Sequence, residues 1–262
     1  MSEALGLYVP GGGWLYRLHP LPKVLMTLWG VLAPFVLPVV ALPFLIVGAI
    51  AVALSSGLGH PYLRGLLLTT LPAVASIVLV NAFFFPGARD VLLSLGPLSV
   101  TREGLEFGVP IAGRIVAAVT VTLAFVTTTR PDDLMEALVQ RGAPPKLAFV
   151  VLSTIQTVPR MRDKAARILD AQQARGLRTR GSLRARARAM LPLIGPLVIG
   201  SLIDVRERSL ALEARGFDSG GPRTAYRVVE MRPRDRLLTA SAIVALVALP
   251  AAVVALMAFR IG

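Results

Sequence analysis

Long apolar runs without charged residues dominate the chain and predict membrane-spanning helices. No charge occurs between Val24 and Leu58, a stretch that is about 50 Å long as a helix. A single crossing needs about 20 residues, and Pro34, Pro38 and Pro43 interrupt the middle of this stretch. We therefore expect two short spans there and three more later in the chain. The predicted spans are about Lys23–Leu37, Val39–Leu58, Leu66–Phe85, Val109–Thr129 and Leu237–Phe259.

The segment between the fourth and fifth runs has a different pattern, with apolar residues at steps of three and four. The sequence Arg130-Pro131-Asp132-Asp133 predicts the start of a short helix, because proline suits a first turn and acids complement the positive end of a helix dipole. This helix ends at Gly142, and two long amphipathic helices follow. Their predicted apolar stripes are Leu147, Val150, Val151, Thr154, Val158, Met161, Ala165 and Ile168, then Leu191, Ile194, Val198, Leu202, Val205 and Leu212.

Composition and charge support this division. Of the 262 residues, 55% are apolar and 16% charged, the mean hydropathy is +0.69 and the net charge is +13. The segment from Arg130 to Arg236 holds 21 of the 28 basic and 11 of the 15 acidic residues. Cytoplasmic loops of membrane proteins carry such a basic excess. With four spans before this segment, the N-terminus is expected inside and the loop Pro86–Gly108 outside.

These patterns predict an all-α polytopic membrane protein of the plasma membrane. We expect about five transmembrane helices plus two long cytoplasmic helices. The expected regions are 1–129 with about four spans, a cytoplasmic region 130–236 and a C-terminal span within 237–262.

Residues for catalysis or metal binding are scarce. There is no cysteine, and no lysine follows a glycine, so the chain lacks a phosphate-binding loop. His19 and His60 each precede a proline and are expected to be turn residues rather than metal ligands. Asn81 and Arg114 lie in or near spans, where we expect an interhelical hydrogen bond or a side chain that reaches the headgroups. The chain is therefore expected to be neither an enzyme nor a metal or cofactor protein.

The two long helices end in the same tripeptide, forty residues apart. These endings are Ala174-Arg175-Gly176 and Ala214-Arg215-Gly216. A single copy is explained by helix capping, because glycine takes the left-handed position and arginine complements the negative helix end. Two copies on successive amphipathic helices favour two equivalent contacts with a partner of two-fold pseudo-symmetry. Arginine suits such contacts because its guanidinium binds a carboxylate through two donors.

With these endings the chain resembles the T component, the transmembrane coupling subunit, of energy-coupling factor (ECF) transporters. Further support comes from His19-Pro20 with Lys23 ahead of the first span, and the resemblance is tightest over Thr127–Phe217. The supporting stretches there are Thr127-Thr128-Thr129-Arg130-Pro131-Asp132-Asp133-Leu134, Asp170-Ala171-Gln172-Gln173 and Ala211-Leu212-Glu213.

The resemblance implies a mechanical function in the uptake of a vitamin or a transition-metal ion. The ends of the two helices would dock on two ABC-type ATPases, which bind ATP and Mg²⁺, while a membrane-embedded S component binds the substrate. Carried over to this chain, Arg175 and Arg215 become the ATPase contacts, and Gly176 and Gly216 allow close approach.

Two other functions remain open from the sequence. Glu136-Ala137-Leu138 with Gly142 has the opening spacing of a conventional ABC importer permease, although the rest of that motif does not follow. The other alternative is a membrane-anchored module that would bind nucleic acid or anionic lipid through the arginine-rich block, of which Arg178–Arg188 contains five arginines. We expect no nucleic-acid partner, because few aromatic residues accompany the basic ones. The basic linker itself is expected to be solvated near anionic headgroups.

Overall fold

The computed structural model describes residues 8–86, 90–95, 98–177, 183–217, 219 and 229–261. The described chain is mainly helical and contains one β-hairpin. Its elements are α1 (Pro20–Val36), α2 (Ala41–Ser55), α3 (His60–Phe84), β1 (Val91–Leu95), β2 (Leu98–Thr101), α4 (Arg102–Thr128), α5 (Pro131–Val139), α6 (Pro145–Ala174), α7 (Leu183–Ala214) and α8 (Pro233–Ile261). The described residues divide into two compact units. We call 6–143 with 229–262 the apolar unit and 144–228 the amphipathic unit.

The hairpin corrects the all-α prediction. Strands β1 and β2 pair antiparallel, with Ser94 opposite Ser99 and Leu95 opposite Leu98. Leucine, valine and threonine make up most of both strands, and the latter two favour extended backbone. The predicted loop 86–108 is therefore largely structured.

Helix α4 is the centre of the apolar unit and packs against α1, α2 and α3. Its contact with α3 is close because Gly104 and Gly108 face Asn81. A Cβ at Gly104 would overlap the backbone carbonyl of Asn81 and lie 2.7 Å from Oγ1 of Thr101, while one at Gly108 would lie 3.0 Å from Cβ of Asn81. Two glycines four residues apart let helix backbones approach in this way. This close contact was not predicted, although the spacing of the two glycines is visible in the sequence.

The long uncharged stretch forms two helices, α1 and α2, as expected from its prolines. α1 ends at Val36, and the extended backbone of Leu37 separates it from α2. With 17 and 15 residues, both helices are shorter than an ordinary span. Two described helices, α3 and α4, are long and apolar enough to cross a membrane. The run Leu237–Phe259 lies within α8.

Arg114 lies further inside its helix than predicted, because α4 starts earlier in the sequence. The predicted fourth span begins near Val109, whereas α4 begins at Arg102, and its first turns carry an exposed ion pair of Arg102 with Glu106 at 2.8 Å. Arg114 is therefore near the middle of the helix, about 18 Å from its start. The helix thus extends seven residues before the predicted span, which has Arg114 near its start. Asn81 donates within its own helix to the carbonyl oxygen of Ile77 at 2.8 Å.

Candidate functional site

The amphipathic unit consists of two helices that meet near their middles. Nζ of Lys164 on α6 lies 2.7 Å from Oδ2 of Asp204 on α7, and Oγ of Ser201 lies 3.5 Å from Sδ of Met161. Gly200 makes room for this contact, since a Cβ there would lie 2.6 Å from Cε of Lys164. The ring centroids of Phe149 and Phe217 are 4.9 Å apart, so the start of α6 lies beside the end of α7.

Both helices end in the same hydrogen-bonded turn. At the end of α6, the amide of Leu177 donates to the carbonyl of Gln172 at 3.0 Å, and the amide of Gly176 donates to that of Gln173 at 2.9 Å. This is the Schellman pattern, which requires a left-handed residue after the helix. Gly176 provides it with a φ of 93°.

At the end of α7, the amide of Phe217 donates to the carbonyl of Leu212 at 3.0 Å, and that of Gly216 donates to Glu213 at 2.9 Å. The φ of Gly216 is 69°. The repeated tripeptide therefore produces the same backbone geometry twice.

The two endings also present the same surface. In each, the alanine, arginine and glycine are exposed, and the residue that follows, Leu177 or Phe217, is half-buried. Arg175 and Arg215 extend from helix ends, where the unpaired carbonyls are electronegative and favour a cation. Each arginine is thus available to a partner on a firmly capped helix.

A third Arg-Gly ending shows what capping alone explains. Arg141-Gly142, after α5, has the same turn, with the amide of Ala143 donating to the carbonyl of Leu138 at 3.0 Å. This ending belongs to the apolar unit, and Nη2 of Arg141 lies 3.2 Å from Sδ of Met231. The backbone turn is therefore a general stop signal of this chain. Arg141 is exposed as well, so the contact with Met231, rather than exposure, distinguishes it from Arg175 and Arg215.

We expect Gly176→Ala and Gly216→Ala each to lower the free energy of unfolding by about 1 kcal/mol. Space for the methyl group exists at both positions, but a side chain in the left-handed region is strained. The apparent melting temperature in detergent should fall by about 2–4 °C. Gly195→Ala, at an open position inside α7, is the matched control and should raise it slightly. Equal melting temperatures for all variants would contradict the capping function.

The apolar stripes of both helices remain largely exposed. Leu147 is 62% exposed on α6 and Leu202 is 65% exposed on α7. Other stripe members exposed in the same way are Val150, Val151, Val158, Ile194, Val198 and Val205. Apolar surface of this extent on a monomer is typical of an interaction site.

The basic linker is shorter than expected. Helix α7 begins at Leu183, so Arg184, Arg186 and Arg188 belong to the helix. Leucine, arginine and alanine are strong helix formers, which explains the earlier start. Arg178 and Arg180 lie outside the described residues.

A buried ionic contact in the apolar unit was not predicted. From the sequence Lys23 was only part of a resemblance, but this residue is 5% exposed and its Nζ contacts the end of α4, far away in sequence. The available signal was a lysine at the edge of a long apolar run, together with two helix starts of the pattern Pro-x-Asp. Among the described residues, no three His, Cys, Asp or Glu side chains form a possible metal site.

The fold is that of a helical membrane protein with a separate pair of crossed amphipathic helices. A family model described as "Cobalt transport protein" (CbiQ) matches residues 11–226, and the chain belongs to that family. Three similar proteins carry the name "Energy-coupling factor transporter transmembrane protein EcfT". That of Listeria innocua is 29% identical over 90% of this chain and 93% of its own. That of Thermosediminibacter oceani is 30% identical over 88% and 90%, and that of Heliobacterium modesticaldum is 30% identical over 90% and 91%.

Another relative has a different architecture. A putative ABC transporter ATP-binding protein of Bifidobacterium longum is 32% identical over 65% of this chain, which corresponds to 23% of that protein. The resemblance to ECF transporter T components is confirmed by these matches. The chain is a membrane component of a transporter and not an enzyme.

Proposed function

We propose that the chain is the coupling subunit of an ECF-type importer. In this proposal α6 and α7 transmit ATP-driven movement of two ABC-type ATPases to a membrane-embedded S component, which binds a vitamin or a transition-metal ion. The observation that carries the proposal is the pair of equivalent helix endings, each capped in the same way and each with an exposed arginine. ATP and Mg²⁺ are bound by the partner ATPases, and this chain carries no cofactor.

The endings suit contact with two related ATPases. Arg175 and Arg215 would each enter a groove and bind a carboxylate through two donors, and the adjacent glycines, which lack side chains, allow close approach. The relative from Bifidobacterium longum supports such a partnership, because a segment similar to this chain is part of a protein named for ATP binding. The exposed apolar stripes between the endings and the helix starts are the surface for the S component.

The contact at the helix crossing explains how movement would be transmitted. Lys164 pairs with Asp204 beside the close approach at Gly200, and Phe149 packs against Phe217, so the two helices are joined at their crossing and where the start of α6 lies beside the end of α7. Closure of the ATPases on binding ATP would displace the two ends relative to each other. The pair of helices would then act as crossed levers. In this arrangement 130–236 is cytoplasmic and the remaining helices lie in the plasma membrane as a multi-pass protein.

We expect the chain to co-purify in detergent with the ABC-type ATPases encoded in the same genome when they are expressed together. An unrelated helical membrane protein with the same affinity tag is the control and should retain none. Addition of the S component should give ATP-dependent uptake in proteoliposomes. If the tagged chain retains no ATPase, the coupling function is refuted. Salt-dependent binding of the chain to nucleic acid would then favour the binding-module alternative.

A further inference from the structure

A buried group of charged and polar side chains joins four helix ends of the apolar unit. Lys23, in the first turn of α1, is 5% exposed, and its Nζ donates to the carbonyl oxygen of Thr128 at 3.2 Å. Helices α5 and α8, which carry Asp133 and Asp235, both pack against α1. The Lys23 ammonium interacts electrostatically with both carboxylates. A buried charge requires such partners, because its hydration has been lost. We call Lys23, Thr128, Asp133 and Asp235 the lysine junction.

The partners of Lys23 are held by their own helices. Asp133 and Asp235 each occupy the third position of a helix that starts with proline, α5 and α8. Oδ2 of Asp235 accepts a hydrogen bond from the amide of Arg232 at 3.0 Å, which caps the start of α8. Thr128 is the last residue of α4, whose terminal carbonyls carry partial negative charge. The junction therefore brings one cation to three fixed sources of negative potential.

His19 borders this junction without adding charge. Its Nδ1 accepts a hydrogen bond from the amide of Leu21 at 3.2 Å, so this nitrogen carries no proton. Burial lowers the pKa of His19, and the carboxylate of Asp235 opposes that shift. The lowered pKa favours the neutral imidazole, so His19 does not compete with Lys23 for the carboxylate of Asp235.

Two members of the junction lie close in sequence to the chain connections with the amphipathic unit. The chain passes from α5 into that unit after Ala143, and it returns to the apolar unit shortly before α8. Asp133 belongs to the helix before the first connection, and Asp235 belongs to the helix after the second. One lysine on α1 thus interacts electrostatically with a helix before the first connection and a helix after the second, and it also donates a hydrogen bond to the end of α4.

We propose that Lys23 is a positioning residue that ties both connections of the amphipathic unit to α1 and α4, so that displacement of α6 and α7 moves the apolar unit. This inference rests on the proposed coupling function. Without the tie, the connections would bend and absorb the displacement. Loss of the junction should therefore lower the amount of substrate imported per ATP hydrolysed, while the ATPases remain bound.

The test compares neutral and charged forms of the junction in the complete transporter. Lys23→Met alone leaves the buried carboxylate of Asp235 and the half-buried one of Asp133 without their cation, and misfolding is expected. The triple variant Lys23→Met/Asp133→Asn/Asp235→Asn removes all three charges, and asparagine at 235 still accepts from the amide of Arg232. We expect this variant to bind the ATPases and hydrolyse ATP, with uptake per ATP reduced about 10-fold. Lys23→Arg keeps the charge, and a cavity of about 730 Å³ beside Lys23 has room for the larger group. The uptake per ATP of this variant should therefore stay near that of the wild type.

Arg102→Gln is the matched control. Arg102 is also a basic residue in the first turn of a helix, but its ion pair with Glu106 is more than half exposed, and such pairs contribute little. Its uptake per ATP should equal that of the wild type. If the triple variant imports as much substrate per ATP as the wild type, the inference is overturned and the junction serves folding only.

Two further outcomes are decisive. If the triple variant does not assemble, Asp133→Asn and Asp235→Asn are measured singly, because each leaves Lys23 with one carboxylate. A lower uptake per ATP in these variants supports the inference, and an unchanged uptake per ATP overturns it. If the wild-type chain retains no ATPase, the proposed function and the inference fail together. If the wild type transports and the variants transport equally well, the inference alone fails.

Discussion

Replacing both Arg175 and Arg215 by alanine is expected to remove the ATPases from the purified complex and to abolish uptake. Both side chains are exposed on capped helix ends, and neither is needed for the hydrogen bonds of the cap, which are all between backbone atoms. Truncating one member of a charged, hydrogen-bonded pair at an interface costs about 2 kcal/mol or more. Each single change should therefore weaken ATPase binding by about 30-fold. The double change should weaken binding by roughly 1,000-fold if the two contacts are independent.

Binding of the ATPases to immobilised chain in lipid nanodiscs measures these affinities. The matched control is Arg162→Ala/Arg206→Ala, which removes the same charge from exposed positions on the same two helices ahead of the endings. Its affinity should stay within about 3-fold of the wild type, because exposed charges contribute little. Full retention of the ATPases by the Arg175→Ala/Arg215→Ala variant would leave the endings as helix caps and refute their coupling function.

Gly104→Val is expected to destabilise the apolar unit by about 3 kcal/mol or more. The position is buried, and its missing side chain lets the backbone of α4 lie against the carbonyl of Asn81 on α3. Backbone cannot move aside as a flexible side chain does, so the two helices have to separate. Since α3 and α4 share the most extensive helix contact of the described residues, the whole unit should be affected. The apparent melting temperature in detergent and the yield of monodisperse protein report this change.

Gly48→Ala is the control for this substitution. Gly48 lies inside α2 with open space around its Cβ position, so alanine there should raise stability by about 0.5–1 kcal/mol through helix propensity. Gly108→Ala should have an intermediate effect, because its methyl group would lie 3.0 Å from Cβ of Asn81. If Gly104→Val melts at the same temperature as Gly48→Ala, the close approach of α3 and α4 is not a source of stability.

Features encoded over a few consecutive residues were predictable. Apolar runs located α3 and α8, because removal from water acts on each segment separately. The endings at Gly142, Gly176 and Gly216 were predicted as helix stops, because a left-handed glycine and its two hydrogen bonds involve a single turn. The hairpin of β1 and β2 was missed, because its short strands depend on pairing with each other rather than on a local pattern.

The candidate site was predictable only in part. The repeated Ala-Arg-Gly pointed to Arg175 and Arg215 from the sequence, and their equal exposure and geometry add to that prediction. The pairing of Lys164 with Asp204 could not be inferred, because it depends on where two helices cross. The start of α4 was misplaced for a related reason. Charged residues near Arg102 predicted a loop, but contact of Gly104 with α3 continues the helix there.

The sequence by itself determined the membrane character of this chain, the helix stops at Gly142, Gly176 and Gly216, and the repeated motif that indicates an ECF transporter component. These properties follow from hydrophobicity, backbone preference and short-range hydrogen bonds. The tertiary structure alone decided which residues meet. It brings Lys23 to Thr128, Asp133 and Asp235, although more than a hundred positions separate the lysine from each of them. A buried ammonium is stable only where other helices supply compensating charge, and the packing of the whole apolar unit determines that arrangement.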